Sequence, residues 1–395
     1  MAAKSAVCPR CLESFTLPLL QGPAGTPRPA PPQRPSKWQR INEGRWGGQP
    51  DPGPSVAARA AAYDAVNAAP LCPNGHRLPP DYLERPTVVV GVVGLTGASK
   101  STYLTVLIDA LHAGALAPLD ISVELDEHSA DRFERQYHQP LLVAHRQLPL
   151  TPPLVEEGQS PEPLTLVLRR SSRGGPERSM NVVLFDASGE QLYRREDLGR
   201  FGRFLYVASA VLVVLSPGMF PGLQSVADPG ESGLGMARPT QMLVNLADLL
   251  RTARGLRKDG FLDGVSASVI LSKADKLVGR PDFPADTLRN PAISVAGLPR
   301  LFEEVRDNSA RLVDFLETNG GSNLLTTLLG RLPDPTVHAV SATGAEARDG
   351  GYPSISPLGV LEPLLVLLAK HRFLPAEGLE LDGAYSRTAG DRPRR

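Results

Sequence analysis

The chain has 395 residues, and its 42 Lys and Arg balance 42 Asp and Glu, so it carries no formal net charge at pH 7. This balance gives no strong attraction to nucleic acid or anionic lipid, and a 5% aromatic content disfavours a stacking surface for single strands. The start shows no apolar signal region. The longest apolar run, 205–215, is too short to span a bilayer, so we interpret it as a buried strand. We expect a cytoplasmic protein with one large and one small domain.

Two pairs of metal-ligand residues stand first along the chain. Cys8 and Cys11 form a C-x-x-C pair, and Cys72 and His76 form a C-x-x-x-H pair, which together use every cysteine of the chain. Three thiolates and an imidazole suit tetrahedral Zn²⁺, and four protein ligands would make the metal structural. The long Pro-rich gap between the pairs indicates an insertion in a ribbon loop. A redox Cys8/Cys11 pair, or free thiols beside a solvated His76, are the alternatives.

A phosphate-binding loop is predicted at 94–101, with the sequence GLTGASKS. It follows an apolar run and precedes a helix-like segment, which is the strand–turn–helix context that such a loop needs. The loop N–H groups and the helix N-terminus can cradle a polyphosphate, Lys100 would reach its β- and γ-phosphates, and Ser101 would bind Mg²⁺. Ser99 stands where the pattern has its second glycine, and its Cβ could crowd the turn. The alternative is a Gly/Ser-rich turn in an unrelated α/β domain. The residues expected to contact nucleotide here are Gly94, Gly97, Ala98, Ser99, Lys100, Ser101 and Thr102.

A second motif, Asp186-Ala-Ser-Gly189, ends a later apolar run. Asp186 is placed to hold Mg²⁺ through water, and the Gly189 N–H can contact a γ-phosphate. A first-switch threonine should lie between Ser101 and Asp186. Thr151, in a Pro-flanked loop, is the best candidate for this third Mg²⁺ ligand, because Thr165 lies within a strand pattern.

Two further motifs predict a guanine site. The carboxylate of Asp275, in Ser-Lys-Ala-Asp, can accept two N–H bonds from guanine, whereas adenine offers it the wrong pattern. The stem of Lys273 can lie along the base. A backbone N–H at Ser341-Ala342 can meet guanine O6. Only seven of the 42 Lys and Arg residues are lysines, yet both positions where nucleotide chemistry favours lysine, 100 and 273, carry one.

Apolar runs alternate with helical patterns through the rest of the chain, which predicts an α/β domain with a mostly parallel sheet and helices on both faces. Together with the loop at 94–101, this predicts a fold of the P-loop NTPase type. We expect a zinc-ribbon-like module at 1–85, the nucleotide domain at 86–375 and a disordered tail at 376–395. Predicted strands lie near 87–93, 120–125, 163–169, 180–186, 209–215, 266–271 and 336–341. Predicted helices lie near 100–113, 127–146, 239–256, 298–317 and 355–372.

The ordered set GLTGASKS, DASG, SKAD and SAT resembles the guanine-nucleotide motifs of translation-factor-class P-loop GTPases over residues 86–373. It is similar to bacterial double-GTPase proteins with an N-terminal zinc ribbon. The resemblance implies GTP or GDP with Mg²⁺ as ligands. It assigns Gly189 to the second switch and Ser341 and Ala342 to the closing base loop. Two more departures stand out, since Ser272 replaces Asn or Thr and Glu190 replaces a water-positioning Gln.

These patterns predict a GTP-binding switch that hydrolyses GTP slowly, with Lys100, Gly189 and Glu190 at the reacting phosphate. Slow turnover suggests a protein effector or an activating protein that supplies an arginine. One alternative is a zinc-ribbon adaptor whose G domain has lost nucleotide through Ser99. Another is an ATPase of the same fold, against which Asp275 argues.

Overall fold

The protein was analysed as a computed structural model, which divides into two compact units, Met1–Pro86 and Thr87–Arg395. The Pro-rich stretch before Leu71 and the tail beyond Leu379 lie outside the described residues. The residues that the structure describes are 5–16, 71–79, 81–150, 161–171, 177–186, 202–228, 237–257, 262 and 264–379.

The first unit contains a small antiparallel hairpin. Its strands β1 (Ser5–Val7) and β2 (Ser14–Thr16) pair with Ser5 opposite Thr16. The Tyr82 hydroxyl donates to the Val7 carbonyl at 3.0 Å and ties the later part of the unit to the hairpin. A small core results, made of Cys8, Phe15, Cys72, Leu78 and Tyr82.

The second unit is built on a seven-stranded sheet with the order β4-β5-β6-β3-β7-β8-β9. Pairings from β6 through β9 are parallel, whereas β5 runs antiparallel to both of its neighbours. The predicted mostly parallel α/β sheet is therefore confirmed. Its strands are β3 (Thr87–Val93), β4 (Ile121–Leu125), β5 (Leu164–Arg170), β6 (Arg178–Asp186), β7 (Ala210–Leu215), β8 (Ser266–Leu271) and β9 (Thr336–Ala339).

Continuous apolar runs explain the centre of this sheet. Every residue of β7 is buried, and so are all but the first residue of β3 and of β8. A parallel strand covered on both faces needs such a run rather than an alternating pattern. The outer strand β4 alternates buried and more exposed positions, as expected of an edge.

Helices connect the strands. None in the described part of the chain combines the length and apolarity needed to cross a membrane. The α-helices are α1 (Lys100–His112), α2 (Glu127–Phe133), α3 (Arg203–Val207), α4 (Ala237–Ala253), α5 (Leu298–Leu316), α6 (Ser322–Arg331) and α7 (Glu362–Lys370).

Several predicted elements differ in extent. The helix predicted over 127–146 is α-helical only to Phe133 and continues as a π-helix, Glu134–Val143, with Pro140 inside it. Because proline has no N–H to donate, it disrupts the ordinary i→i−4 ladder at this point. Helix α6 was not predicted. The apolar run at 205–215, interpreted as one strand, is instead the end of α3 followed by β7.

The helix predicted over 355–372 begins later, at Glu362. Gly359 causes the delay, because it has a φ of +71° and a Cβ there would lie 2.4 Å from the Ala339 carbonyl oxygen. The chain therefore passes tightly over the end of β9 in a conformation that suits glycine. Pro363 then occupies the first turn of the helix, where its missing N–H costs nothing.

Candidate functional site

The first two nucleotide motifs leave the sheet at the same edge. Val92 of β3 pairs with Asp186 at the end of β6, and the predicted phosphate loop begins two residues after Val92. Helix α1 begins at Lys100, so Ser101 lies in its first turn. The Ser101 hydroxyl donates a short hydrogen bond to the Asp186 carboxylate. Two hard oxygen ligands thus meet at the carboxyl edge of adjacent parallel strands, where ligands of such sheets bind.

Lys100 is a buried ammonium within this loop, with 7% of its surface exposed. It donates to the carbonyl oxygens of Gly94 at 2.9 Å and of Leu95 at 3.3 Å. Burial lowers the pKa of Lys100, and the nearby Asp186 carboxylate opposes that shift. An anion at the loop would favour the charged form of the lysine in the same way.

Two glycines and one serine shape the loop. A Cβ on Gly94 would lie 2.3 Å from the Val214 carbonyl oxygen, so this position admits only glycine without movement of β7. Gly97 has a φ of +84°. Ser99 has a φ of +63° and a ψ of 30°, a left-handed conformation that its Cβ makes costly. Ser99 therefore adopts the conformation that a glycine would favour.

The two base motifs also meet. The Ser341 hydroxyl donates to the Asp275 carboxylate at 2.6 Å, and the Ala274 N–H donates to the Val340 carbonyl at 3.1 Å. Because Ser341 is fully buried, this bond holds the Asp275 carboxylate in place from the protein interior. The Ser341 N–H itself donates to the Leu358 carbonyl at 3.0 Å. Ala342 is thus the residue of the pair whose N–H suits a base.

The bond from Ser341 to Asp275 gives the serine a role that sequence reasoning missed, since we assigned only its backbone. Ser272, where relatives carry Asn or Thr, also forms a brace. Its hydroxyl donates to the Leu215 carbonyl at 3.0 Å, and its N–H donates to the same oxygen at 2.8 Å. The loop after β8 is therefore fixed to the end of β7.

Lys273 lies beside a carboxylate that the motif analysis did not include. It has a left-handed φ of +53°, and its ammonium donates to Asp228 at 2.5 Å. Lys276 donates to Asp228 as well and to Glu346 at 2.7 Å. Burial raises the pKa of Asp228, but the hydrogen bonds from Lys273 and Lys276 outweigh it and hold that pKa below its usual value. No local motif marks Asp228, and only the fold brings it to Lys273.

The four N-terminal ligand candidates form one cluster. Their ligand atoms all lie within 4.8 Å of one another. The Sγ of Cys72 lies 3.4 Å from His76 Nδ1 and 3.7 Å from the Sγ of Cys11, and the Sγ of Cys8 lies 3.9 Å from His76 Nδ1. A Cys₃His set so close together fits the tetrahedral donors of Zn²⁺.

Tight turns bring the ligands of each pair together. The Leu12 N–H donates to the Cys8 carbonyl at 2.9 Å, and the Gly75 N–H donates to the Cys72 carbonyl at 2.8 Å. Hydrogen bonds from Cys72 and Cys8 lower the pKa of the Cys11 thiol, whereas hydrogen bonds with Cys11 and burial raise the pKa of Cys8 and of Cys72. Of the three thiols, Cys11 is thus the one that the cluster favours as a thiolate, the form that binds a metal.

Three predicted residues lie outside the part of the chain that the structure describes. These are Thr151, expected at Mg²⁺, and Gly189 and Glu190, expected at the γ-phosphate. Thr165, the less favoured first-switch candidate, is buried within β5 opposite Val183. Its position in a strand agrees with the sequence pattern.

The sheet, the loop at the end of β3 and the side chains around that loop define a P-loop-type nucleotide-binding α/β protein. The family model described as Double-GTPase 2 matches residues 88–290, which is more than half of the chain. The chain therefore belongs to the Double-GTPase 2 family, and the expected likeness to double GTPases is confirmed. Membership of this family supports GTP binding. No curated protein matches the chain.

Solved structures of GTPases are similar to the chain at low TM-score, and the family assignment rests on the family model alone. Sup35 complexed with GDP is 13% identical over 65% of this chain and 38% of its own, with a TM-score of 0.25. The Ski7 GTPase-like domain of S. cerevisiae, bound to GTP, is 11% identical over 73% of this chain and 50% of its own, with a TM-score of 0.32. The Arl6 small GTPase of Trypanosoma brucei is 13% identical over 65% of this chain and 87% of its own, with a TM-score of 0.24. The chain thus spans half or less of the Sup35 and Ski7 structures.

Proposed function

We propose that this protein is a Mg²⁺-dependent GTP-binding switch that hydrolyses GTP slowly. The contact between the Ser101 hydroxyl and the Asp186 carboxylate is the observation that carries the proposal. It joins the phosphate loop to the second motif at the point where a nucleotide-bound Mg²⁺ would sit. A cytoplasmic location and a protein effector belong to the same proposal.

At the phosphates, the loop from Gly94 to Ser99 would cradle the oxygens with its N–H groups. Lys100 would turn from the loop carbonyls toward the β- and γ-phosphates. Ser101 and Asp186 would hold Mg²⁺ together with Thr151. When bound, the ion neutralises charge on the β- and γ-phosphate oxygens. The site residues fit this role, because hydroxyl and carboxylate oxygens are the ligands that Mg²⁺ prefers.

At the base, the Asp275 carboxylate would accept two N–H bonds from guanine. Ser341 would hold this carboxylate in place, and the Ala342 N–H would meet guanine O6. Lys273, fixed by Asp228, would lie along the base with its apolar stem. Adenine presents the opposite donor pattern, so this arrangement favours GTP over ATP.

We expect slow turnover because Glu190 would stand beside the reacting phosphate. A carboxylate near the γ-phosphate repels the transferring group unless its own pKa is raised. The Gly189 region would orient the attacking water, and Glu190 would be a poor substitute for the Gln that usually does so. An unassisted turnover at or above about 1 s⁻¹, the low end of the kinase range, would contradict this part of the proposal.

For the N-terminal cluster we propose a structural Zn²⁺ held by Cys8, Cys11, Cys72 and His76. The donor chemistry and the mutual spacing of the four ligand atoms support it. Four protein ligands leave no position for a reacting water. The metal would therefore stabilise the fold of the first unit.

The first experiment measures binding of fluorescent GDP and GTP analogues to the wild type and to Lys100→Ala, with unlabelled GTP and ATP as competitors. Lys370→Met is the matched control, because Lys370 donates to the carbonyls of Ala267 and Asp334 at the sheet and takes no part in the phosphate loop. We expect GTP to displace the analogue, ATP to leave it bound, and Lys100→Ala alone to lose it.

Each other result selects an alternative. If the wild type binds no nucleotide, the adaptor hypothesis replaces the switch, and a stable Zn²⁺-dependent partner would then be sought. If ATP competes as well as GTP, the proposed role of Asp275 is wrong and an ATPase is favoured.

A further inference from the structure

Arg132 is a buried cation that the proposed nucleotide chemistry does not yet use. It lies in α2, and only 7% of its surface is exposed. Its Nη1 pairs with Glu162 Oε2 at 3.1 Å, and the Glu162 side chain is 65% exposed. The Nε and Nη2 atoms of Arg132 are buried, and neither has a hydrogen-bonding partner among the residues that the structure describes. Burying N–H groups of a guanidinium without acceptors is costly, and a bound anion could supply the acceptors that these donors lack.

The helix that carries Arg132 is firmly fixed. Asp126 caps its N-terminus, with its carboxylate accepting from the N–H groups of His128 at 3.1 Å and Ser129 at 3.2 Å. The Ser129 hydroxyl then accepts from the Thr165 N–H of β5 at 2.9 Å. Arg132 is therefore presented from a rigid element rather than from a mobile loop.

Strand register brings this arginine toward the phosphate edge of the sheet. Leu164 of β5 pairs with Leu184 of β6 in antiparallel register. Glu162 lies two residues before Leu164, and Asp186 lies two residues after Leu184, so both carboxylates stand at the same end of neighbouring strands. Arg132, which contacts Glu162, is held at that end.

Tyr137 supports this placement from the π-helix that follows α2. Burial raises the pKa of its hydroxyl, the Asp186 and Glu162 carboxylates raise it further, and Arg132 lowers it. Tyr137 therefore lies near enough to both Arg132 and Asp186 for their charges to shift its pKa. Asp186 in turn contacts Ser101 of the phosphate loop.

We propose that Arg132 binds the γ-phosphate of GTP and stabilises its transfer to water, as an arginine supplied by the chain itself. This inference rests on the proposed function. In the reaction, a water oxygen forms a bond to the γ-phosphorus while the bond from that phosphorus to the β–γ bridging oxygen breaks. The bond's electron pair goes to the β-phosphate of GDP, and the water proton leaves on inorganic phosphate. Arg132 exchanges no proton.

The guanidinium suits this role for two reasons. Its planar fork of N–H donors matches phosphate oxygens, and it stays charged when buried. The exposed Glu162 carboxylate can turn to solvent when phosphate takes its place. Arg132 would then supply within the chain the cation that an activating protein otherwise brings.

The test compares Arg132→Ala, Glu162→Gln and the wild type. The matched control is Arg135→Ala, three residues along the chain, whose side chain is 72% exposed and paired with Asp131. The GDP-analogue affinity and the thermal midpoint are measured first to confirm folding and nucleotide binding. Single-turnover hydrolysis of GTP and formation of a GDP–aluminium fluoride complex, a mimic of the transferring phosphoryl group, are then measured.

We expect Arg132→Ala to keep GDP affinity, to slow hydrolysis by about 10³-fold and to lose the aluminium fluoride complex. Glu162→Gln should match or exceed the wild type in both, because it removes the negative charge that competes with phosphate for Arg132. Arg135→Ala should match the wild type.

If Arg132→Ala binds GDP, hydrolyses GTP and forms the fluoride complex like the wild type, this inference is overturned and the proposed function stands. A parallel loss in Glu162→Gln would likewise overturn it, since the ion pair itself would then be what matters. A wild type that binds no GDP would overturn the proposed function, and this inference with it.

Discussion

Gly94 opens the phosphate loop directly after β3, at a position that packs closely against β7. A Cβ there would lie 2.3 Å from the Val214 carbonyl oxygen and 3.3 Å from the Val214 Cβ. Both atoms belong to Val214 of β7, a strand that is buried along its whole length. Packing alone therefore demands glycine at this position, whether or not nucleotide binds.

We expect Gly94→Ala to lower the free energy of unfolding of the second unit by about 1–3 kcal/mol, the usual cost of overpacking a core. Urea denaturation without nucleotide measures it. Gly279→Ala is the matched control, because no atom of the described residues lies within 4 Å of a Cβ added there. Equal stabilities of the two variants would show that β7 yields to the added methyl.

Ser99 tests whether the missing glycine of the loop matters. Its backbone is already left-handed, with a φ of +63°, and its carbonyl accepts from the Tyr103 N–H at 2.9 Å inside α1. The loop shape that a glycine would give is therefore present. Replacing a left-handed serine relieves about 1 kcal/mol of strain, which the greater chain entropy of glycine largely offsets.

We accordingly expect Ser99→Gly to change the affinity for GDP by less than about tenfold, or 1.4 kcal/mol. Equilibrium titration with a fluorescent GDP analogue checks this. A wild type that fails to bind beside a Ser99→Gly variant that binds tightly would mean that the Ser99 side chain closes the pocket, as the adaptor hypothesis holds.

Among the secondary-structure elements, α7 ends in a lysine, Lys370, whose protonated form is disfavoured by burial. Lys370 donates to the carbonyls of Asp334 at 2.5 Å and Ala267 at 3.4 Å. Burial lowers its pKa from 10.5 to about 8, although the Asp334 carboxylate acts the other way. Between these values the unfolded chain holds the proton and the folded chain has released it. Stability therefore rises with pH across this window.

To isolate this effect we compare the wild type with Lys370→Met, because other titrating groups cancel in the difference. The free energy of unfolding of the wild type should rise relative to the variant from about pH 8 to 10.5, with a slope of at most about 1.4 kcal/mol per pH unit. Below pH 8 the difference should be flat. A difference that stays constant through the whole range would place the Lys370 pKa at its usual value.

Elements whose signal is local were predicted well from sequence. The apolar runs of β3 and β8 coincide with the observed strands, because a strand buried on both faces must be apolar throughout. Extents were wrong where a distant contact decides them. Helix α7 starts late because Gly359 must pass over the Ala339 carbonyl, which no local pattern encodes.

In the candidate site, too, residues marked by local motifs were predicted, and residues that only distant contacts bring in were missed. Motif chemistry assigned Ser101 and Asp186 to one Mg²⁺ and placed Asp275 and Ser341 at one guanine, and the fold brings each pair of side chains into contact. Asp228 was missed because it lies in the Pro- and Gly-containing stretch after β7, which carries no nucleotide motif. Phe220 and Leu223 of that stretch are in fact buried, so tertiary packing overrides its Pro and Gly content.

At the scale of the whole molecule, each of the two units has its own core and its own proposed ligand. Among the described residues of the first unit, the core consists of Cys8, Phe15, Cys72, Leu78 and Tyr82, and its two cysteines also belong to the Cys₃His cluster. A core of this size rarely folds without a metal or disulfides, and the structure has free thiols at all three cysteines. The second unit has an extensive apolar core around its sheet, so we expect it to fold without a metal.

We therefore expect the two proposed ligands to protect different parts of the chain from hydrogen exchange. A Zn²⁺ chelator should speed amide exchange in peptides covering 5–16 and 71–79 and leave β3 and β8 unchanged, and Cys11→Ser should do the same without chelator. GDP at 100-fold its dissociation constant should stabilise the second unit by about 2.7 kcal/mol. Amide exchange should then slow in the strands of that unit that exchange only by global unfolding, and should not change in the first unit. Mass spectrometry of the full chain, with and without each ligand, measures both effects. Fast exchange at Cys72 and His76 that no added Zn²⁺ slows would remove the structural metal from the proposal.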